Sequence, residues 1–244
     1  MAFFRLIFTK MFSMKKVTIT FKQTLRYAFF GLIGLTLLSS CKKDDPYNFE
    51  DTIGAEVNLI NASPDAGSSR LYVDNILRTP TGVNYGDASG YFKTFLGDQD
   101  VDVRSTSGET VLSSSHTQFD ANERYTFMLV GQNGSLGLIS FADDVVAPAA
   151  GKAKIRFVNA APNAAGASLT SAVATITGPQ NFRGVAPSTE VTAGAYALSV
   201  VSGNSRSNTT NVTLESGKIY TIYAKGLVGG SSTSAFGVGI YTNK

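Results

Sequence analysis

Two stretches of the chain alternate apolar and polar residues in the same phase and break off at the same short motif. In the first, Ala55, Val57 and Leu59 point one way and Glu56 and Asn58 the other, ahead of Asn61-Ala-Ser-Pro-Asp-Ala66. In the second, Ala153, Ile155 and Phe157 oppose Lys154 and Arg156, ahead of Asn159-Ala-Ala-Pro-Asn-Ala164. Alternation with period two fits a strand with one buried and one wet face. Proline has no N–H to give a ladder, so pairing ends there. The pattern predicts a first strand and its exit turn, twice.

A second landmark also recurs. Phe119, Asn122 and Tyr125 reappear as Leu214, Gly217 and Tyr220. An apolar residue, then Asn or Gly three later, then Tyr three later is the spacing of a tyrosine corner in Greek-key sandwiches. Asn and Gly are the residues that accept a left-handed backbone in such a turn. The ring of Tyr125 or Tyr220 is expected in the core, with its hydroxyl bonded back to the turn. A plain turn before a core tyrosine is the other reading, and it too makes both residues structural.

Shorter alternating runs predict strands over residues 70–73, 101–103, 111–117 and 136–141, and then over 168–177, 196–201, 209–214 and 235–241. Gly97 and Gly194 precede strands at equivalent positions. After Cys41 no apolar stripe follows a 3.6-residue period, so the expected class is all-β. The expected architecture is two tandem antiparallel immunoglobulin-like β-sandwiches, residues 55–144 and 152–244. Residues 145–151, which hold Pro148 and Gly151, are the expected linker.

Asn61-Ala-Ser-Pro-Asp-Ala66, Leu71-Tyr-Val-Asp74, Tyr125-Thr126 and Leu129-Val-Gly131 together resemble the domain-of-unknown-function 4397 family. The second copy keeps Asn159-Ala-Ala-Pro-Asn-Ala164 and Tyr220-Thr221 but departs at the Leu-Tyr-Val-Asp segment. Family members often carry His where this chain has Asn61 and Asn159. The resemblance implies a domain of bacterial surface and secreted proteins and brings no established activity with it.

The N-terminal segment changes the picture of where the chain goes. Lys15, Lys16, Lys22 and Arg26 precede a weakly polar and apolar run over residues 27–38, too short to span a bilayer and suited to a signal-peptide core. It ends in Leu38-Ser-Ser-Cys41, which resembles the bacterial lipobox, and Cys41 is the only cysteine. The resemblance implies lipidation at Cys41, with residues 1–40 removed and the true start at Met14. Residues 42–45, Lys-Lys-Asp-Asp, resemble the signal that sends lipoproteins of the Bacteroidota to the outer face of the outer membrane. Residues 41–54 are then a polar tether, and Asp51-Thr52-Ile53 within it resembles the O-glycosylation signal of the same bacteria.

Charge follows the same division. The chain has 21 Lys and Arg against 18 Asp and Glu, but six of the basic residues precede Cys41, which leaves the mature protein acidic. Such a chain lacks the basic footprint of a nucleic-acid binder. Residues 55–150 hold 12 acidic and 5 basic side chains, and residues 151–244 hold 2 and 8, so the two copies are opposite in sign, suited to dock on each other or to associate head to tail between chains, or else simply two solvated surfaces.

Candidate chemistry is sparse. Asp98, Asp100, Asp102 and Glu109 partly match the spacing of an EF-hand calcium loop. Val103 stands at the glycine position, however, and alternation with Val101 and Val103 says strand. Asp65 is expected to cap its own turn through the backbone. His116, the single histidine, has no cysteine or second histidine to share a zinc ion, and no nucleophile elbow accompanies it. Residues 228–234, Gly- and Ser-rich, lack the Gly-Lys-Ser/Thr ending of a phosphate loop. Tyr85 and Tyr91 are the loop aromatics suited to stack on sugar rings, or else to pack on the sandwich rim.

The expectation is a non-catalytic protein without cofactor, anchored by lipid to the outer membrane and facing the cell exterior. It displays two sandwiches for protein or matrix interaction; the alternative is a glycan-binding accessory lipoprotein of a surface uptake system.

Overall fold

The first strand, β1 (Ala55–Asn61), is buried on both of its faces, which corrects the half-wet strand expected from alternation. Ala55, Val57 and Leu59 enter one apolar cluster, and Ile60 on the opposite face enters another. Asn58, expected in water, has no exposed surface. Its Nδ2 donates to Thr126 Oγ1 at 3.3 Å and its Oδ1 accepts from Ser89 Oγ at 3.3 Å, so its polar atoms are satisfied where they stand.

These details come from a computed structural model, which describes residues 54–243; they lie in one compact unit, Phe49–Lys244, and the other unit, Met1–Asn48, lies outside the described residues. The protein is all-β. After β1 come β2 (Ser69–Val73), β3 (Ile76–Leu77), β4 (Phe92–Thr94), β5 (Gly97–Ser105), β6 (Val111–Phe119), β7 (Arg124–Gln132) and β8 (Ser135–Ala142). They form two four-stranded sheets, ordered β4-β1-β7-β8 and β3-β2-β5-β6.

The second copy supplies β9 (Lys152–Asn159), β10 (Ala167–Thr170), β11 (Thr175–Gln180), β12 (Thr189–Thr192), β13 (Gly194–Ser202), β14 (Ser205–Arg206), β15 (Thr210–Leu214), β16 (Ile219–Lys225) and β17 (Gly237–Thr242). One sheet is ordered β12-β9-β16-β17 and the other β11-β10-β13-β14, with β15 also on β13. The copies match in the first sheet of each, where β9 stands as β1 does and β16 as β7 does, while among the described residues the second copy has nine strands to the first copy's eight.

Two expectations are corrected by the pairing. The sheets are not purely antiparallel: β1 runs parallel to β7, with Val57 beside Tyr125, and β9 parallel to β16, with Ile155 beside Tyr220. A parallel neighbour needs a long crossover, and about sixty residues separate the paired strands in each copy. The single strand expected over residues 168–177 is two, because Ser171 folds the chain back: its N–H and Oγ both donate to Ala174 O. The edge strands β3, β4, β12 and β14 are too short, at two to four residues, to show a period.

Each pair of sheets closes on an apolar cluster. In the first copy Val57, Leu59 and Phe127 of one sheet meet Leu71, Val101 and Val103 of the other. In the second, Ile155, Phe157 and Ile222 meet Leu169, Leu198 and Val200. A third cluster joins the copies: Ile60, Met128, Val130 and Ile139 pack against Val158, Ala160 and Tyr223. It lies on the outer faces of β1-β7 and β9-β16, which is why β7 and β16 are buried along nearly their whole length. Full burial of side chains of this size contributes about 1.5–3 kcal/mol each. Tyr223 lies flat on Gly239 of β17, where a Cβ would collide with the ring, so the close approach depends on glycine.

Candidate functional site

The doubled Asn-Ala-x-Pro turn is held by the same three bonds in each copy. Asn61 is fully buried; its Nδ2 donates to Gly67 O at 2.8 Å and Val83 O at 3.1 Å, and its Oδ1 accepts from the Ser63 N–H at 3.1 Å. Asn159 donates to Ala164 O at 2.6 Å and Gln180 O at 2.9 Å and accepts from the Ala161 N–H at 3.1 Å. One amide thus closes the turn and ties it to a second loop.

Asp65 does not cap through its own backbone as expected. Its carboxylate accepts from Ser63 Oγ at 3.1 Å and, across the β7–β8 hairpin, from the Asn133 N–H at 2.5 Å. Asn163 repeats the clamp with Val228, donating to its carbonyl at 3.0 Å and accepting from its N–H at 2.9 Å. The turn reaches for the hairpin because the neighbouring parallel strands, β7 and β16, run on into it beside the turn.

Tyr125 Oη accepts a hydrogen bond from the Asp120 N–H at 3.0 Å, and Tyr220 Oη accepts from the Glu215 N–H at 3.0 Å. Asn122 (φ 64°) and Gly217 (φ 84°) take the left-handed conformation between them. Both rings are buried, and Phe119 meets Tyr125 edge-on at 5.0 Å.

The acidic residues Asp98, Asp100 and Asp102 line the wet face of β5, alternating with the buried Gln99, Val101 and Val103. His116 Nδ1 lies 2.9 Å from Asp100 Oδ1 and its Nε2 3.7 Å from Asp98 Oδ1; that hydrogen bond to Asp100 raises the imidazole pKa above its ordinary value. Asp102 takes 2.6 Å and 2.7 Å bonds from Arg104 and Ser114, which hold its carboxyl below the usual range. Glu109 stands beyond the far end of β5 from Asp98, on the order of 20 Å of strand away. The structure does not bring the four calcium candidates together. Among the described residues no group of three or more His, Cys, Asp or Glu is placed to hold a metal ion.

The cluster that sequence reasoning missed sits where the two copies meet. Asp143 follows β8, Asn243 follows β17, and each is nearly inaccessible to water. Asp143 Oδ2 accepts from Thr126 Oγ1 at 2.7 Å and from the Tyr91 hydroxyl at 2.8 Å, while its Oδ1 accepts from Asn243 Nδ2 at 3.0 Å. Asn243 Nδ2 also donates to Tyr91 Oη at 2.8 Å, and its Oδ1 accepts from Thr221 Oγ1 at 2.8 Å. Burial pushes the Asp143 carboxyl upward, against the pull of these donors. The hidden signal was the equivalence of Thr126-Asp143 and Thr221-Asn243. Counting from the tyrosines misses it, because the second hairpin is longer and includes a 3-10 turn, Ser232–Ser234.

Both sugar-stacking candidates belong to this seam. Arg124 stacks 5.0 Å over the Tyr91 ring, and Tyr241 lies 6.2 Å from it. Burial raises the Tyr241 hydroxyl pKa to about 12. Lys225 of the second copy stands 5.3 Å over Tyr85, beside Gly86, whose carbonyl accepts from the Tyr223 hydroxyl at 3.3 Å. Arg156 adds a 2.6 Å bond to Ala142 O and Lys154 a 2.9 Å ion pair with Asp144. Among the described residues the copies therefore meet through apolar side chains and a buried polar knot, with the Lys154–Asp144 ion pair beside them. Cys41, residues 42–45 and Thr52 lie outside the described residues.

Residues 55–170 match a protein family described as "Domain of unknown function (DUF4397)". No curated protein matches the chain. Among solved structures, the crystal structure of a leucine-rich repeat protein from Bacteroides thetaiotaomicron VPI-5482 aligns at 13% identity and a TM-score of 0.19, covering 72% of this chain and 26% of that one. The chain thus spans about a quarter of that protein's length.

Proposed function

Residues 55–170 belong to the DUF4397 family, and from that premise we propose that the chain is a non-catalytic cell-envelope protein held by lipid on Cys41, displaying its domains for protein or matrix interaction. The observation that carries the reading is Leu38-Ser-Ser-Cys41, the chain's one cysteine at the end of a short apolar run that follows lysines. Two or more acyl chains make such an anchor stable, since each buried methylene contributes about 0.8 kcal/mol. Lys42-Lys-Asp-Asp45 favours the outer face of an outer membrane.

The finer architecture belongs to the same proposal: two tandem immunoglobulin-like sandwiches. The repeated sheet pairs, each around its own apolar cluster, and the two hydroxyl-to-turn bonds of Tyr125 and Tyr220 support it. The glycan-binding alternative draws less support, because Tyr91 and Tyr85 are engaged at the seam between the copies.

The test is Cys41→Ala in the native host. The parent protein is expected in the membrane fraction with an acylated N-terminal cysteine by mass spectrometry, and the variant in the soluble fraction. A variant that stays membrane-bound refutes the anchor.

A further inference from the structure

We propose that the end of the fold carrying Gly54 rests against the surface of the bilayer that holds the acyl chains of Cys41, inserting Phe95, Leu96, Val145 and Val146 among zwitterionic phospholipid headgroups. The inference rests on the lipid-anchor reading above. Its first support is the register. Thr94 pairs with Ala55, so Phe95 and Leu96 emerge beside the start of β1, where residue 54 enters. Glu56 pairs with Arg124, and the Asp143 N–H donates to Arg124 O, so Val145 and Val146 leave β8 at that same end. Val145 lines an open cleft of about 330 Å³ together with Gly54 itself, Glu56, Lys93 and Arg124.

The second support is exposure. Seven large apolar side chains are exposed among the described residues, and four of them are these: Phe95 at 42%, Leu96 at 40%, Val145 at 38% and Val146 at 67%. Apolar side chains gathered at one end of a protein mark a surface with a partner. The charges around them are of both signs, with Glu56 and Arg124 paired at 2.5 Å and Glu123 and Lys93 on the cleft wall. That rim suits a headgroup carrying both a phosphate and an amine.

The third support is the length of chain between anchor and fold. Thirteen residue steps from Cys41 to Gly54 reach at most about 45 Å when fully extended. Anchoring therefore keeps this end near the membrane at an effective concentration on the order of millimolar, where a contact too weak to recruit a free protein is still occupied.

The chain has no tryptophan, so Phe95→Trp creates a single tryptophan at the proposed contact, excited at wavelengths where tyrosine does not absorb. Val111→Trp places one at the other end, since Val111 opens β6 opposite Arg104, far along β5 from Gly97, and is 49% exposed. The lipidated full-length proteins are reconstituted in phosphatidylethanolamine–phosphatidylcholine vesicles with and without brominated acyl chains, and the mass of the N-terminal peptide is read from the same samples. Bromination is expected to lower the Phe95→Trp emission about twofold and to leave Val111→Trp unchanged. Equal responses from the two proteins with Cys41 acylated overturn the bilayer contact and leave the anchor standing. An unacylated Cys41 overturns the anchor and this inference with it.

Discussion

Asn243 donates from its side-chain amide to Asp143 Oδ1 at 3.0 Å, and the two residues hold the same position in their respective copies. Each follows the last strand of its sheet, and each sends its backbone N–H to the strand start beside it, Asp143 to Arg124 O and Asn243 to Ile219 O. Each also takes a bond from the equivalent threonine, Thr126 or Thr221. The copies therefore meet with like ends together. At the meeting point one side chain offers a carboxylate and the other an amide, so a donor faces an acceptor.

Asn243→Asp breaks that complementarity by setting two carboxylates against each other in a buried site. Like charges so close cannot both ionise cheaply, so the folded pair retains a proton that the unfolded chain has lost. The folded state then binds more protons than the unfolded state above the ordinary carboxylate range, and stability falls as pH rises. The variant is expected to lose about 3 kcal/mol at pH 8 and distinctly less at pH 5. Urea midpoints at the two pH values check this, and the same loss at both would show that the pair does not face itself in the fold.

His116, the only histidine, gives a clean titration in proton NMR. Its hydrogen bond to Asp100 sets its pKa above the usual value, with the charges of Asp100, Asp98 and Asp74 adding to the shift. Asp100→Asn is expected to bring the midpoint down. A group whose pKa is raised by folding supports the fold below its unfolded pKa, so this support is lost as pH climbs from near 6.5 through the folded midpoint. His116→Gln is expected to flatten that part of the stability profile in denaturant titrations.

Much of this fold was legible in the sequence because its landmarks are local. The exit turn at Asn61 and Asn159 and the corner at Tyr125 and Tyr220 each lie within a few residues, and they recur in phase. The seam between the copies was not legible, because the residues that form it are scattered: Ile60, Met128, Val158 and Tyr223 come from four strands. One clue was present. The run Tyr125-Thr-Phe-Met-Leu-Val130 is apolar without alternation, as befits a strand covered on both faces. Asn58 and Arg156 read as wet only because the second covering layer was unknown. The acidic stripe of β5 was rightly strand-like, while the reach of Asp65 to Asn133 depends on a hairpin that no local pattern reveals.

Tyr125→Phe and Tyr220→Phe remove one hydroxyl each and leave the buried rings in place. Each takes away a 3.0 Å acceptor for a backbone N–H, so a loss of about 1 kcal/mol is expected from either change. Because the geometry is the same in both copies, the two losses should match within error and add in the double variant. Thermal unfolding of the four proteins checks this. A loss confined to one copy would mean that only that corner needs its hydroxyl.

The amide of Asn61 acts as two donors and one acceptor at once, which orders the effects of its replacement. Alanine leaves Gly67 O and the Ser63 N–H without that partner in a buried site, for an expected cost of about 3 kcal/mol. Val83 O suffers less, because the Ser69 N–H also donates to it at 3.0 Å. Aspartate keeps the acceptor but turns a carboxylate toward two carbonyl oxygens, so Asn61→Asp is expected to cost more than Asn61→Ala despite its closer shape. Histidine offers one donor and one acceptor and should fall nearest the parent. The same order is expected at Asn159, where the partners are Ala164 O, Gln180 O and the Ala161 N–H. Urea denaturation of the three variants at each position measures it, and an aspartate milder than alanine would mean that the donors of this side chain do not hold the turn.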